Sequence, residues 1–233
     1  MIAKLPTASV EPGPVPAKPI EYPDSDGQPM ADNTKQFQWI LTIQSNLAAL
    51  FADHPQVFVA GDLLWYPVEG DNKTRQAPDV MVVFGVAKGD RGSYMQWREN
   101  QIAPQVVFEI LSPGNRFREM LKKQAFYDTY GVEEYYVYDP DRNDLSILTR
   151  SERGDLHLIT EGADDWVSPR LGIRLQLGEE TLTLLRPDGQ PFSTLLEERQ
   201  RAEQAEQEAA HERERADRLA ARLRELGIDP EAV

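Results

Sequence analysis

The sequence predicts an α/β domain with an αβββαβ core, a central mixed sheet flanked by helices, and a long C-terminal helix. Three observations predict it. Two nearly continuous apolar runs, residues 77–84 (APDVMVVF) and 105–111 (QVVFEIL), have strand length and strand composition. Segments of helical periodicity, 33–52 and 116–130, lie before and after them. From residue 194 no proline or glycine interrupts the chain until Gly227.

The elements follow in order. Residues 1–20 carry prolines at positions 6, 12, 14, 16 and 19 and few large apolar side chains, so they read as a disordered or loosely draped arm. Asn33 and Gln36 have capping-box spacing and open the first helix. Its apolar positions, Phe37, Ile40, Leu41, Leu47, Leu50 and Phe51, repeat at helical intervals until His54-Pro55 stops it. Residues 57–66 are β-rich and close at Pro67. The strands at 77–84 and 105–111 are joined by a linker of glycine, charge and aromatics, residues 85–103. Ser112-Pro113-Gly114-Asn115 predicts a turn ending on an N-cap, and Gly131 is placed to end the helix over 116–130. A fourth strand, 133–138, stops at Asp139-Pro140, and shorter strands follow at 145–149, 156–160 and 181–186.

The tail is predicted as one helix over 194–226. Thr194 and Glu197 have capping-box spacing, and Ala202, Ala205, Ala209, Ala216, Leu219, Leu223 and Leu226 form an alanine-rich heptad seam broken by Glu212. Two readings of it stand: a solvated helix, or a self-association element that makes a homodimer. The organisation is thus an arm (1–20), a domain (21–192) and a helical, weakly coiled-coil tail (193–233).

Composition narrows the chemistry. No cysteine occurs in the 233 residues, so disulfides, thiol nucleophiles and thiolate metal sites are excluded, which fits a reducing cytoplasm. His54, His157 and His211 lack ligand spacing, which leaves carboxylates and a hard cation as the metal chemistry open to the chain. The N-terminus has no apolar core of a secretory signal, and no run is long and apolar enough to span a bilayer. A net charge of −14 counts against tight nonspecific DNA binding, but not against a local basic patch beside a metal.

Two acids sit where acids are costly. Asp79 interrupts APDVMVVF and Glu109 interrupts QVVFEIL. A carboxylate among Val, Ile, Leu and Phe on a strand needs a partner or takes up a proton. Side by side, the two strands would offer both acids one divalent cation, able to coordinate a phosphate and activate a water. The alternative is that each acid pairs separately with an arginine or a capped loop. Lys123 borders the apolar stripe of Met120, Phe126, Tyr127 and Tyr130, and either snorkels to solvent or faces the charged site. Lys88, Arg91, Tyr94, Trp97 and Arg98 interleave bases and aromatics, a mix that suits nucleic acid and equally suits a surface loop. Arg116, Arg118 and Lys122 add charge beside the site or form a solvated face. Asp62 reads as a turn acceptor rather than a ligand.

Pro78-Asp79, then Glu109-Ile110-Leu111-Ser112-Pro113, then Lys123 with Tyr127, then Gly131-Val132-Glu133-Glu134-Tyr135-Tyr136 and Asp139-Pro140, form an ordered set over residues 22–150 that resembles the Uma-two family. That family consists of restriction-endonuclease-like proteins of the PD-(D/E)XK nuclease superfamily. The resemblance implies a restriction-endonuclease-like fold and a Mg²⁺-dependent (or Mn²⁺-dependent) DNA endonuclease with Asp79, Glu109 and Lys123 as catalytic residues. It implies a metal held by Asp79, Glu109 and the backbone carbonyl of Ile110. The chain departs from the pattern in two places. Leu111 stands at the superfamily's lysine position, and Lys123 on the helix matches the family's relocated lysine. Gln28 follows Gly27 where the family often has an acid. The competing reading is a catalytically weak or inactive protein on the same fold that binds DNA or acts in assembly through its tail.

Overall fold

Why the apolar runs pair as they do is visible in their burial. The structure, a computed structural model, describes residues 20–27 and 29–225. The elements are α1 (Thr34–Leu50), β1 (Val57–Gly61), β2 (Trp65–Tyr66), β3 (Val80–Phe84), β4 (Tyr94–Met95), β5 (Val106–Ile110), α2 (Phe117–Tyr130), β6 (Glu134–Asp139), β7 (Asp144–Arg150), β8 (Leu156–Leu158), β9 (Asp165–Val167), β10 (Arg174–Leu177), β11 (Leu182–Leu185) and α3 (Leu195–Glu225). Six strands form the central sheet in the order β1-β3-β5-β6-β7-β8. Only β5 and β6 run parallel, joined by α2 as a crossover; the other pairings are antiparallel. The sheet is mixed, as the sequence predicts.

Both faces of β3 and β5 are covered, which is why these strands read as continuous apolar runs rather than alternating ones. On one face Val80, Val82, Val106, Phe108 and Ile110 pack against Ile40, Ile43 and Leu47 of α1. Leu175, Leu182 and Leu184 of a three-stranded sheet, β11-β10-β9, join the same core. On the other face Met81, Val83 and Val107 pack with Tyr127 of α2 and with Trp65 and Tyr94. Each such apolar side chain, fully buried, contributes about 1.5–3 kcal/mol.

The helix ends differ from expectation in an informative way. Asn33 caps α1 through its side chain, which accepts from Gln36 N at 2.9 Å. Gln36 Oε1 accepts from Asp32 N instead of completing the box, and its Nε2 donates to the Ile110 carbonyl at 2.8 Å. Asn115 does not cap α2: its Oδ1 accepts from Ser112 N at 2.6 Å and holds the turn, so Arg116 becomes the N-cap. Gly131 ends α2 at φ 93°, a conformation that costs glycine nothing.

Other boundaries moved. The β-rich run 57–66 divides at Asp62, which has φ 47°; β1 stays in the large sheet, while β2 leaves it to pair in parallel with β4 from the linker 85–103. Strands β9 and β10 lie where none was expected, because their short runs DWV and RLQL carry little apolar signal. The tail forms one helix, and Thr194 and Glu197 make the reciprocal capping-box bonds. No α3 residue is buried. Residues 1–19 of the arm, Gln28 and residues 226–233 lie outside the described residues. No helix among those described is long and apolar enough to cross a membrane.

Candidate active site

The site grows from the end of a ladder. Pairing between β3 and β5 reaches Val80 opposite Phe108, and β3 goes no further. The next polar groups on that side of β5 are the N–H and C=O of Ile110, which lack a strand partner. Buried backbone groups must be paired. Asp79 Oδ2 accepts the Ile110 N–H at 2.6 Å, and Gln36 takes the carbonyl. Asp79 is therefore held at the strand end by the backbone it replaces in the ladder.

Glu109 lies on the α2 face of β5, in phase with Val107, and is 2 % exposed. Such burial of a carboxylate is costly unless it is paired. Two side chains one helical turn apart on α2 meet it. Lys123 Nζ donates to Oε2 at 2.6 Å, and Tyr127 Oη donates to Oε1 at 2.5 Å. Tyr127 is wedged between Trp65, stacked at 6.3 Å, and Tyr135, edge-on at 5.0 Å. Lys122, one residue earlier, is exposed.

Charge is concentrated here. Burial, and then the charge of Glu109, push Asp79 well above the usual carboxylate range, against the opposing pull of Lys123 and the Ile110 N–H. Burial acts to lower Lys123, but Glu109 and Asp79 outweigh it and hold the ammonium above the ordinary lysine value. Burial and Glu109 raise Tyr127 far above the usual phenol, so it remains a protonated donor. Asp62 is also raised, first by burial and then by Asp26.

A cleft of about 580 Å³ opens onto Asp79 and Lys123. The carboxylates of Asp26, Asp32, Asp62 and Glu119 line it as well, with Lys73 and Arg75 from the β2–β3 loop. Asp32 accepts from Ser112 Oγ at 2.5 Å, and Gly114 permits that approach, since a Cβ there would lie 2.9 Å from Asp32 Oδ2. Asp62, read from sequence as a turn acceptor, faces this cleft. No sequence signal marked Asp26 or Asp32, which reach it only through the path of the chain before α1. Leu111 instead lines a separate groove with Met120, Tyr135 and Val137.

Sequence reasoning also missed Glu134. It is 2 % exposed and accepts from Tyr136 Oη (2.7 Å), Ser168 Oγ (2.5 Å) and Arg170 N (2.7 Å), tying the loop before β10 to the main sheet. The basic-aromatic linker has a structural role. Lys88 donates to the carbonyls of Phe51 and Ala52 beyond α1, Arg91 pairs with Glu99 and covers Phe58 at 4.2 Å, and Tyr94 is buried. Lys88 lies past the opposite end of β3 from Asp79. Trp97 packs on Tyr22, and Arg98 is exposed.

Hard oxygen donors suit a divalent cation. Asp79 Oδ1 receives no hydrogen bond from a described residue, and each Glu109 oxygen and the Ile110 carbonyl retain a lone pair after their single bonds. Among the described residues no three His, Cys, Asp or Glu side chains group as a metal cage. A cation here would take two carboxylates and a backbone carbonyl, with water completing its shell.

Comparisons with known proteins bear on the family of the chain. A search of curated proteins finds no match. Among solved structures, the chain is similar to a protein from Anabaena variabilis described as "a putative nuclease belonging to DUF820". The identity is 17 %, over 59 % of this chain and 72 % of that one, with a TM-score of 0.43. The sequence model of the Uma2 family, described as "Putative restriction endonuclease", matches residues 16–184. That span contains every element from α1 to β10 and the whole of the site, and the chain belongs to the Uma2 family.

Proposed function

We propose that this protein is a divalent-cation-dependent DNA endonuclease, with Mg²⁺ (or Mn²⁺) held by Asp79, Glu109 and the Ile110 carbonyl. The observation that carries the reading is a cleft lined by buried Asp79 and by Lys123, with Lys123 paired in turn to the buried carboxylate of Glu109. A bound cation supplies a polarised phosphate oxygen and a water of lowered pKa. The protein's own groups do the rest. The Ile110 N–H fixes Asp79, and Tyr127 fixes Glu109. Lys123, kept charged by both acids, offers its ammonium to a phosphate oxygen as negative charge develops there. In this reading α3 joins two protomers through its alanine seam, a symmetry that suits a palindromic duplex.

Plasmid nicking tests the reading. Wild type is expected to nick in Mg²⁺ and not in EDTA. Asp79→Ala and Lys123→Ala should both lose nicking, by at least 100-fold, while Lys123→Ala still binds Mg²⁺ in calorimetry. Equal nicking by wild type and Asp79→Ala overturns it. The acidic balance of the chain favours one rival, a non-cleaving DNA-binding or assembly protein on this fold. Wild type that binds metal and DNA but never nicks would select that rival.

A further inference from the structure

We infer that Lys73 and Arg75, on the loop between β2 and β3, are the phosphate grip of the cleft, and that the grip engages DNA only when a divalent cation is bound. The inference rests on the nuclease reading and adds to it the residues that hold the substrate backbone.

The loop is built to present these side chains. Its base is closed by Trp65 and Gln76, which exchange two backbone hydrogen bonds of 2.7 and 3.2 Å. Asp71 gathers its tip, accepting from Lys73 N, Thr74 N and Thr74 Oγ1. The segment before α1 anchors it from outside. Tyr22 Oη accepts from Gly70 N at 2.6 Å, Asn72 donates to Glu21 O, and Tyr66 Oη donates to Pro23 O. A loop backbone fixed at so many points sets where its cations are presented before any ligand arrives, which lowers the entropic cost of binding.

The cations themselves are poorly used within the protein. Arg75 bonds through Nη1 alone, to the Asn72 carbonyl at 3.0 Å and to Tyr66 Oη at 3.5 Å, over the Tyr66 ring. No described acid forms a salt bridge with Arg75 or Lys73. Lys123, the third cation of the cleft, is paired with Glu109 beside the reacting phosphate and leaves the flanking phosphates to the loop. A planar guanidinium and an ammonium with unused donors match the oxygens of a phosphodiester backbone. The exposed bases Arg116 and Arg118 do not line this cleft.

Local charge then sets the condition. At about 0.15 M salt the Debye length is about 8 Å, so a phosphate in the cleft responds to the cleft more than to distant charges. Five carboxylates line it against three cations. Without a divalent cation the cleft repels a polyanion despite Lys73 and Arg75. With one, two units of the negative excess are cancelled, and the two loop cations become net attractive to the flanking phosphates.

Fluorescence anisotropy of a labelled DNA duplex with the full-length protein tests this, using Ca²⁺ as the divalent probe. Wild type should bind at least tenfold more tightly in Ca²⁺ than in EDTA. The Lys73→Ala, Arg75→Ala double variant should bind about 10–100-fold more weakly in Ca²⁺. Its plot of log affinity against log salt should be shallower by about 2, one phosphate contact per cation. Its Ca²⁺ affinity in calorimetry should be no weaker than that of wild type, Lys73→Arg should keep the wild-type slope, and Arg153→Ala, at an exposed base between β7 and β8 that does not line the cleft, should behave as wild type. Wild-type affinity and slope in the double variant would overturn the assignment, and so would equal binding in EDTA and Ca²⁺. A wild type that binds neither Ca²⁺ nor duplex instead brings down the nuclease reading, and the grip with it.

Discussion

Glu109 is held by two donors of different kinds, and they separate experimentally. Tyr127→Phe keeps the ring between Trp65 and Tyr135 and removes only the hydroxyl. A hydrogen bond to a charged group is worth about 1.5–3 kcal/mol, so a loss of that size is expected in urea unfolding; an unchanged midpoint would mean the bond does not hold Glu109. Asp79 predicts the opposite sign. In the metal-free protein it is an acid raised first by burial and then by its neighbour Glu109, so it opposes folding. Asp79→Asn keeps an acceptor for the Ile110 N–H and removes the like charge. It should stabilise the metal-free protein by about 0.5–2 kcal/mol while abolishing the gain in melting temperature that Mg²⁺ gives wild type. Destabilisation in EDTA would show that the charge on Asp79 supports the fold rather than a ligand.

At the scale of elements, the register of β3 against β5 does most to build the site. The ladder stops at Val80, which leaves one backbone N–H for Asp79 and one carbonyl for Gln36 of α1. Three elements are thereby locked at the point where α2 supplies Lys123. The tail is a different kind of element. Its 31 residues bury none of their side chains, and it begins after the span the Uma2 family matches. A polar helix of that length is stabilised by local pairs such as Arg199 with Glu203, each worth only a few tenths of a kcal/mol, or by a partner. Sedimentation of a chain ending at residue 192 is expected to give a lower oligomeric state than the full chain. An unchanged oligomeric state would remove α3 as the assembly element.

For the whole molecule, pH exposes how the buried acids are shared between structure and site. Burial raises Glu134, although Ser168, Tyr136 and Arg170 N all favour its charged form. A carboxyl raised on folding contributes stability that is complete below its unfolded pKa and is lost as pH rises through the folded value. Asp71, Asp155 and Glu197 are held low, chiefly by hydrogen bonds from Thr74, Ser151 and Thr194, so their contributions are lost only as pH falls through their depressed values. Urea midpoints in EDTA should therefore fall from pH 5 toward pH 7, with a smaller fall in Glu134→Gln. A midpoint that rises over that range in wild type contradicts the assignment.

What the sequence by itself determined was local. Asp79 and Glu109 were legible because an acid in or at the end of an apolar run breaks a pattern that spans only a few residues, whereas Lys123 stood open between solvent and site, and only the folded α2 brings it to Glu109. The strands 77–84 and 105–111, both helices of the core and the tail were legible for the same reason. Tertiary structure alone decided who shares a cleft. Asp26, Asp32, Asp62 and the Lys73–Arg75 loop come to the site from different segments, and no period in the sequence relates them. It also decided that Lys88, Arg91 and Tyr94, which have the composition of a nucleic-acid contact, bind their own fold instead. Glu134 lies within the strand expected over 133–138, but its role as a buried tie exists only once Ser168 and Arg170 return to it from more than 30 residues away. Burial and pairing are properties of neighbours in space, and for these residues the chain supplies those neighbours only once it is folded.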